Sequence, residues 1–276
     1  MKTALSLFLT ILTCTIFSCG GKSNDMERNG GQKREAVLDT TAEYKIRSGS
    51  HISADSYYTG GKDSLYVTLV GHGSLMFEYR GMIIHVDPYS KVADYSKLPD
   101  ANLILLTHEH SDHLDITAIE EIATGDTKFI MNKACNDVLG FGEVIGNNEV
   151  RSCYPVDILA VPAYNIVHKK PDGEPYHPKG QGNGYLIKFG QTNVYVAGDT
   201  ENIPEMDDLK NKKIDIAFMP KNLPYTMSDE MFIDAARKVQ PTYLYPYHMS
   251  EFDKGKIRDA LSDTYISLVV RPMSNL

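Results

Sequence analysis

Hydrophobic residues form short runs from residue 65 onward, and most runs have the length and the β-branched or aromatic content of strands. Gly71-His72-Gly73 and Arg80-Gly81 separate the first three runs, so these three predict an antiparallel meander. The predicted strands are 65–70, 74–79, 82–86, 103–107, 128–131, 158–161, 185–189, 193–197, 214–219 and 243–245.

Helical periodicity lies between several of these strands. Apolar residues of 116–123 fall mostly on one side of a helix, and those of 232–239 follow the i, i+3, i+4, i+7 spacing. Thr226 and Asp229 form a candidate capping box for the second helix. Strands and helices alternate without a repeat or a second composition block, which predicts a single α/β domain over 60–276.

The N-terminus has the pattern of an export signal. A basic start at Lys2 precedes an apolar run over 4–17, which is too short to span a bilayer comfortably. Ser18-Cys19-Gly20 resembles a bacterial lipobox, although Phe17 departs from the usual small or aliphatic residue. We therefore expect residues 1–18 to be a lipoprotein signal peptide and Cys19 to be acylated; the alternative is an ordinary cleaved signal or a membrane anchor.

Residues 19–59 are predicted to connect this anchor to the domain. The first half is rich in Gly, Ser, Asn and charged residues, which is typical of a flexible tether. Tyr44, Ile46, Tyr57 and Tyr58 indicate that the second half packs onto the domain. The expected location is the periplasmic face or the cell surface, attached to a bacterial membrane.

Composition narrows the class of partner. The chain has 276 residues, 42% of them hydrophobic, and a formal charge of −8, so it lacks the basic footprint of a nucleic-acid-binding protein. An exported chain could form a disulfide between Cys135 and Cys153, but the sequence leaves this pairing open.

The most informative segment is 107–115, which reads Thr-His-Glu-His-Ser-Asp-His-Leu-Asp and follows an apolar strand. His108, His110, Asp112 and His113 fall within six residues. A loop at the end of a rigid strand can direct such side chains into one cavity, and imidazole with carboxylate is the ligand mix that suits zinc. The alternative, a solvated polar loop, requires no such spacing.

Two other strands deliver chemistry in the same way, one ending at Asp199 and the other at His248. With the segment 107–115 they resemble the metallo-β-lactamase superfamily and its H-x-H-x-D-H pattern. Gly71-His72-Gly73-Ser74, Val86-Asp87-Pro88 and Asp199-Thr200 look like the branch that contains ascorbate-6-phosphate lactonase and N-acylphosphatidylethanolamine phospholipase D. The resemblance implies a four-layer αβ/βα sandwich with two mixed sheets packed face to face and helices outside.

The resemblance also implies two metal ions, expected to be zinc with manganese and iron left open. The implied ligands are His108 and His110 for the first metal, Asp112, His113 and His248 for the second, and Asp199 as the bridge. The family's third histidine of the first metal is missing after Pro162-Ala163-Tyr164, where this chain has Asn165. His177 is favoured to replace it because glycines follow closely; His168 and Asn165 are the alternatives.

The same resemblance implies a hydroxide shared by the two metals, oriented by Asp112. His72 is a second catalytic candidate, either facing substrate or supporting a ligand, with a hydrogen-bonded turn residue as the alternative. Asp87 is expected to support the ligand loop, whereas His51 and His85 receive no role. The predicted substrate contacts are Asn165, Lys221, Asn222 and Tyr225; for the last three the alternative is an ordinary loop between a strand and a helix.

Together these features predict a hydrolase of a lactone, amide or phosphodiester bond in an extracytoplasmic small molecule, lipid or glycan fragment. Oxygen-reducing iron members of the superfamily carry glutamate at the position of His110, so this histidine favours hydrolysis. True β-lactamases use other ligands at the second metal, which disfavours antibiotic hydrolysis. The alternative from another class is a non-catalytic metal-binding lipoprotein, but Asp112 and Asp199 are both retained. The oligomeric state stays open.

Overall fold

The computed structural model describes residues 39–45, 51–60, 62–249 and 251–273. The predicted signal peptide, the predicted acylation site Cys19 and the first half of the predicted tether lie outside these residues. No helix within the described ranges is long and apolar enough to cross a membrane.

The first sheet contains eight strands in the described part of the chain, arranged in sequence order. They are β1 (Asp39–Lys45), β2 (His51–Tyr58), β3 (Ser64–Gly71), β4 (Ser74–Tyr79), β5 (Met82–Val86), β6 (Leu103–Leu106), β7 (Lys128–Met131) and β8 (Glu143–Val144). Pairing is antiparallel from β1 to β5 and parallel from β5 to β8. The meander predicted from the two short turns is therefore confirmed as β3, β4 and β5.

The second sheet contains the remaining seven strands described, again in sequence order. They are β9 (Val150–Cys153), β10 (Val156–Ala163), β11 (Gly182–Phe189), β12 (Thr192–Val196), β13 (Ile216–Lys221), β14 (Tyr243–Met249) and β15 (Ser267–Leu268). Pairing is antiparallel from β9 to β12 and parallel from β12 to β15. Both sheets are therefore mixed.

The sheets pack face to face around one apolar core. Strand β6 shows how the layers arise: Leu103 and Leu105 point into the core between the sheets, while Ile104 and Leu106 point into a second cluster under the outer helices. This alternation is the two-residue period of a strand buried on both faces.

Helices cover the outer face of each sheet. Beside the first sheet lie α1 (Ile116–Ile122) and α2 (Lys133–Leu139), and beside the second lie α3 (Met206–Leu209), α4 (Asp229–Val239) and α5 (Lys254–Ala260). Single 3₁₀ turns occupy Tyr95–Lys97 and Lys210–Lys212. The four-layer metallo-β-lactamase sandwich predicted from the sequence is confirmed.

The N-terminal extension contributes to the first sheet. Strand β2 pairs with β3, and Tyr57 is buried in the core, whereas Tyr58 is 63% exposed. The predicted boundary at residue 60 thus falls just after a strand of the sheet rather than before the sheet begins.

The structure also settles the start of helix α4 and the state of two cysteines. Helix α4 begins after Ser228, whose hydroxyl accepts from the Met231 N–H, so the predicted capping box at Thr226 is wrong. Thr226 is unavailable because its hydroxyl accepts from the Asn222 N–H. Cys135 and Cys153 are buried free thiols and form no disulfide with each other.

Candidate metal centre

The proposed ligands reach one place because most of them lie at or beyond the end of a strand. His108, His110, Asp112 and His113 follow β6, Asp199 follows β12, and His248 lies near the end of β14. His177 enters from the connection between β10 and β11. Strand ends at one edge of two packed sheets lie close together, so a rigid scaffold positions all seven side chains.

Their ligand atoms form overlapping groups. His108, His110 and His177 make one set, and Asp112, His113 and His248 make another together with His72. His108, His113 and Asp199 form a third group that shares members with both. Within each group every ligand atom lies within 4.8 Å of the others.

Asp199 occupies the position between the two sets. Its Oδ2 lies 3.3 Å from Nε2 of His177 and 3.4 Å from Nε2 of His248, and its Oδ1 lies 3.5 Å from Nε2 of His113. One carboxylate thus approaches histidines of both sets.

The fit to a metal is tested by the polar atoms that the protein leaves unpaired. Nε2 of His113, His177 and His248 and Oδ1 of Asp199 are buried and have no hydrogen-bond partner. Buried polar atoms normally find partners, since leaving them unpaired costs about 1–3 kcal/mol each. Four such atoms converging from histidines and a carboxylate match the donor set that divalent zinc prefers.

The protein holds the opposite ring nitrogen of His113 and that of His108. Nδ1 of His113 donates to Oδ2 of Asp87 at 2.8 Å, and Asp87 also accepts from the backbone N–H and hydroxyl of Thr107. Nδ1 of His108 lies 3.0 Å from the Thr107 hydroxyl. These bonds aim each Nε2 at the centre, as outer partners of metal-bound histidines commonly do. Asp87 thus lies where it supports the ligand loop.

Two residues predicted to contact substrate, Asn165 and Asn222, instead contact the Nδ1 atoms of candidate metal ligands. Asn165 is buried, its Oδ1 lies 2.6 Å from Nδ1 of His177, and its Nδ2 donates to the Tyr225 carbonyl. Nδ2 of Asn222 lies 3.4 Å from Nδ1 of His248. The side chain of Asn165 is therefore engaged by His177 and the Tyr225 carbonyl and is unavailable to a substrate.

Burial and charge set the protonation of the centre. Burial lowers the pKa of His177 to about 4 and that of His108 well below its ordinary value, which keeps both imidazoles neutral and able to bind metal. Burial also opposes charge on His113, but Asp199 and Asp87 outweigh it and raise this pKa to about 9. The pocket thus stabilises positive charge between its carboxylates.

The two carboxylates themselves stay ionised. Burial would raise the pKa of Asp112, but a hydrogen bond from His72 and the nearby imidazoles of His248 and His113 hold this pKa far below its ordinary value. The pKa of Asp199 is also lowered, because the charges of His248 and His113 offset its burial. Asp112 is 32% exposed and Asp199 only 4%, so Asp112 faces the open side of the site.

The backbone is unusual at three residues of the centre. His72, Asp87 and His248 have φ of 49°, 46° and 46°, in the left-handed region that side chains other than glycine rarely adopt. The His248 N–H donates to the His72 carbonyl at 2.9 Å, which joins two of them. Such conformations cost about 1–3 kcal/mol each and are typical of functional sites.

Other predicted residues lie at the edge of the centre or away from it. His168 belongs to none of the ligand groups, and its Nδ1 instead lies 2.5 Å from Oε1 of Glu201. Lys221 pairs with Asp229 at 2.8 Å, and Tyr225 is 46% exposed. His85 is buried, and its Nε2 lies 3.1 Å from the Pro99 carbonyl.

Sequence reasoning missed Thr107, Glu201 and Tyr176. Thr107 could have been found as the hydroxyl residue preceding the first ligand. Tyr176 lines the cavity that His108, His110 and His177 also line, but an aromatic residue beside a candidate ligand carries no specific signal in one sequence.

Comparisons with known proteins agree with this geometry. Residues 66–248 match the family model described as beta-lactamase superfamily domain. An Enterococcus faecalis protein named UPF0173 metal-dependent hydrolase is 30% identical over 199 residues, which cover 67% of this chain and 87% of that protein.

Two solved structures are also similar. A Parabacteroides distasonis protein that carries the name of a metal-dependent hydrolase is 44% identical, has a TM-score of 0.75, and is matched over 79% of this chain and 98% of its own. Igni18, a metallo hydrolase from Ignicoccus hospitalis, shares the fold with a TM-score of 0.64 at 21% identity, over 76% of this chain and 96% of that one. This chain belongs to the metallo-β-lactamase superfamily, among the UPF0173 metal-dependent hydrolases.

Proposed function

We propose that this hydrolase works with two divalent metal ions, expected to be zinc, and cleaves a lactone, amide or phosphodiester bond of an extracytoplasmic small molecule, lipid or glycan fragment. The observation that carries the proposal is the convergence of two ligand sets on Asp199, with four buried ligand atoms lacking any protein partner. His108, His110 and His177 would hold one ion, and Asp112, His113 and His248 the other.

When bound, two such ions supply Lewis acidity, which lowers the pKa of a shared water toward neutrality and polarises the bond to be broken. Asp112 is the carboxylate suited to handle the proton of that water, since it is ionised and faces the open side. Asp199 is nearly fully buried and holds the centre together instead.

The setting of this activity forms part of the proposal. The lipobox-like Ser18-Cys19-Gly20 favours export and attachment to a bacterial membrane through Cys19. The acidic net charge disfavours a nucleic-acid partner. The early Gly-His-Gly turn and Asp199-Thr200 favour the branch that contains ascorbate-6-phosphate lactonase and N-acylphosphatidylethanolamine phospholipase D.

Elemental mass spectrometry of the purified full-length protein tests the metal centre. We expect about two metal ions per chain, and Asp199→Ala should lose metal while retaining its circular dichroism spectrum. Asp112→Ala should abolish hydrolysis of whichever lactone, anilide or phosphodiester probe the wild type cleaves. Absence of metal after metal-supplemented preparation, or unchanged turnover in Asp112→Ala, would refute the proposal.

A further inference from the structure

A short hairpin ends at His177, a member of the first ligand set (His108, His110 and His177). Its base joins Asn165 and His177, because the Asn165 N–H donates to the His177 carbonyl at 2.8 Å and the His177 N–H donates to Oδ1 of Asn165 at 3.0 Å. Lys169 and Pro175 form an antiparallel bridge farther out, and the turn closes with Gly173 at a φ of 92°. We call residues 165–177 the site hairpin.

Glu201 fixes the start of the site hairpin. Its carboxylate is 1% exposed and accepts from the backbone N–H groups of Ile166, Val167 and His168 at 2.6, 2.6 and 2.8 Å. The His168 ring makes a fourth contact with it. Since Glu201 lies two residues beyond Asp199, one loop holds both the metal centre and the hairpin beside it. The start of the hairpin is therefore held in one conformation and can form a rigid wall beside the metal centre.

Exposed apolar side chains follow Asn165 at the base of the site hairpin. Ile166 and Val167 are 46% and 61% exposed, while the charged residues Lys169, Asp172 and Glu174 lie toward the tip. Tyr176, next to His177, lines the cavity shared with the first ligand set.

A second segment contacts Tyr176. The rings of Tyr176 and Tyr225 lie edge to face with centroids 5.0 Å apart, and the Tyr225 carbonyl accepts from Nδ2 of Asn165. Leu223, two residues before Tyr225, is 49% exposed. Of the eleven large apolar side chains exposed in the described part of the chain, four lie on these two segments. Single exposed apolar residues are ordinary, but a cluster beside a cleft is typical of ligand binding.

We infer that the site hairpin and the segment around Tyr225 form a subsite for an apolar group of the substrate, located on the side of the first ligand set. The inference rests on the proposed metal centre, because the metal would hold the reacting bond next to Tyr176. The substrate class is then an amphipathic molecule that carries an alkyl or aryl group close to the bond cleaved.

Alkyl hydroxamates of increasing length test this subsite, since the hydroxamate binds the metal and the alkyl chain reports on the wall. Isothermal titration calorimetry on the zinc-loaded full-length protein would compare acetohydroxamate, hexanohydroxamate and octanohydroxamate. We expect affinity to rise at least about tenfold from the shortest to the longest, because each added methylene that is buried makes binding more favourable.

Variants locate the effect. Tyr176→Ser and Tyr225→Ser should remove most of the gain with chain length, and the corresponding phenylalanine variants should keep it. Tyr265→Ser is the matched control, because Tyr265 is 90% exposed and lies beyond α5, outside both segments. Metal content is measured for every variant.

The outcomes separate the two proposals. If the full-length protein retains no zinc after loading, the metal centre is refuted and the subsite falls with it. If it retains zinc but binds none of the three hydroxamates, the subsite is overturned and the metal centre stands. If acetohydroxamate binds but chain length has no effect, or if the gain survives in both serine variants, the subsite is overturned and the metal centre stands.

Discussion

Nε2 of His72 lies 2.8 Å from Oδ2 of Asp112, and this contact fixes the more exposed of the two carboxylates in the centre. His72 also packs its ring 3.8 Å from that of His248 and accepts the His248 N–H at its carbonyl. One residue on the β3–β4 turn thus contacts two members of the second ligand set. This geometry favours a positioning role for His72 over the catalytic role expected from the sequence.

Replacing His72 should therefore weaken the second metal more than the first. His72→Asn tolerates the left-handed backbone but is too short to reach Asp112, whereas His72→Gln carries an amide nitrogen at similar reach. We expect about a 10- to 100-fold loss of affinity at one of two sites for the asparagine variant and partial recovery for glutamine, measured by chelator competition. Equal affinities in wild type and His72→Asn would show that His72 has no part in the site.

The third ligand of the first set can be settled by paired variants. His177→Ala should lower metal content, because Nε2 of His177 is buried, unpaired and 3.3 Å from Asp199. His168→Ala should retain full metal content, since His168 contacts Glu201 instead. Elemental analysis of both proteins checks this expectation, and the reverse pattern would exchange the two assignments.

Much of the centre is predictable from sequence because it is local. His108, His110, Asp112 and His113 follow one strand at fixed spacing, and the ends of β12 and β14 announce Asp199 and His248 in the same way. Strands with clear apolar runs are likewise predictable to within a few residues. Elements α3, β8 and β15 are only two to four residues long, and β1 and α5 contain few apolar residues, so none of these gives a distinct pattern.

The remainder depends on contacts between distant segments. The position of His177 depends on its pairing with Asn165 twelve residues away, and Asn165 has no feature in sequence that separates a ligand support from a substrate contact. The start of α4 was misplaced for a similar reason: Thr226 and Ser228 are both suitable caps, and the contact with Asn222 decides between them.

Close packing at the Gly-His-Gly turn provides a steric test. A Cβ on Gly73 would lie 2.8 Å from Cε1 of His113, whose ring is fixed by Asp87 and cannot move freely. Gly73→Ala should therefore lower the free energy of unfolding by about 1–3 kcal/mol and reduce metal content. Gly125→Ala is the control, since nothing lies within 4 Å of its added Cβ. Equal urea denaturation curves and metal contents for the two variants would contradict the packing argument.

The lipid anchor can be tested on the full-length chain in a bacterial host. Cys19→Ser should abolish labelling by a fatty-acid analogue, because acylation requires the thiol. Cys14→Ser changes a cysteine within the predicted signal and should leave the labelling unchanged. Wild-type protein that takes up no label would favour the alternative of an ordinary cleaved signal or a membrane anchor.

The buried His85 predicts a defined loss of stability in acid. Burial lowers its pKa from 6.5 to about 4, so between these values the unfolded chain binds a proton that the folded protein does not. Stability from this residue is therefore complete above pH 6.5, declines as the pH falls toward 4, and amounts to a loss of roughly 2 kcal/mol by about pH 5. His85→Gln keeps a donor toward the Pro99 carbonyl but cannot titrate, so its free energy of unfolding should fall less than that of wild type between pH 7.5 and pH 5. Urea denaturation of both proteins at both pH values measures this difference. The histidines of the metal centre are the same in the two proteins, so their contribution cancels. If the free energy of unfolding changes equally with pH in the two proteins, His85 takes up its proton in the folded state as readily as in the unfolded chain.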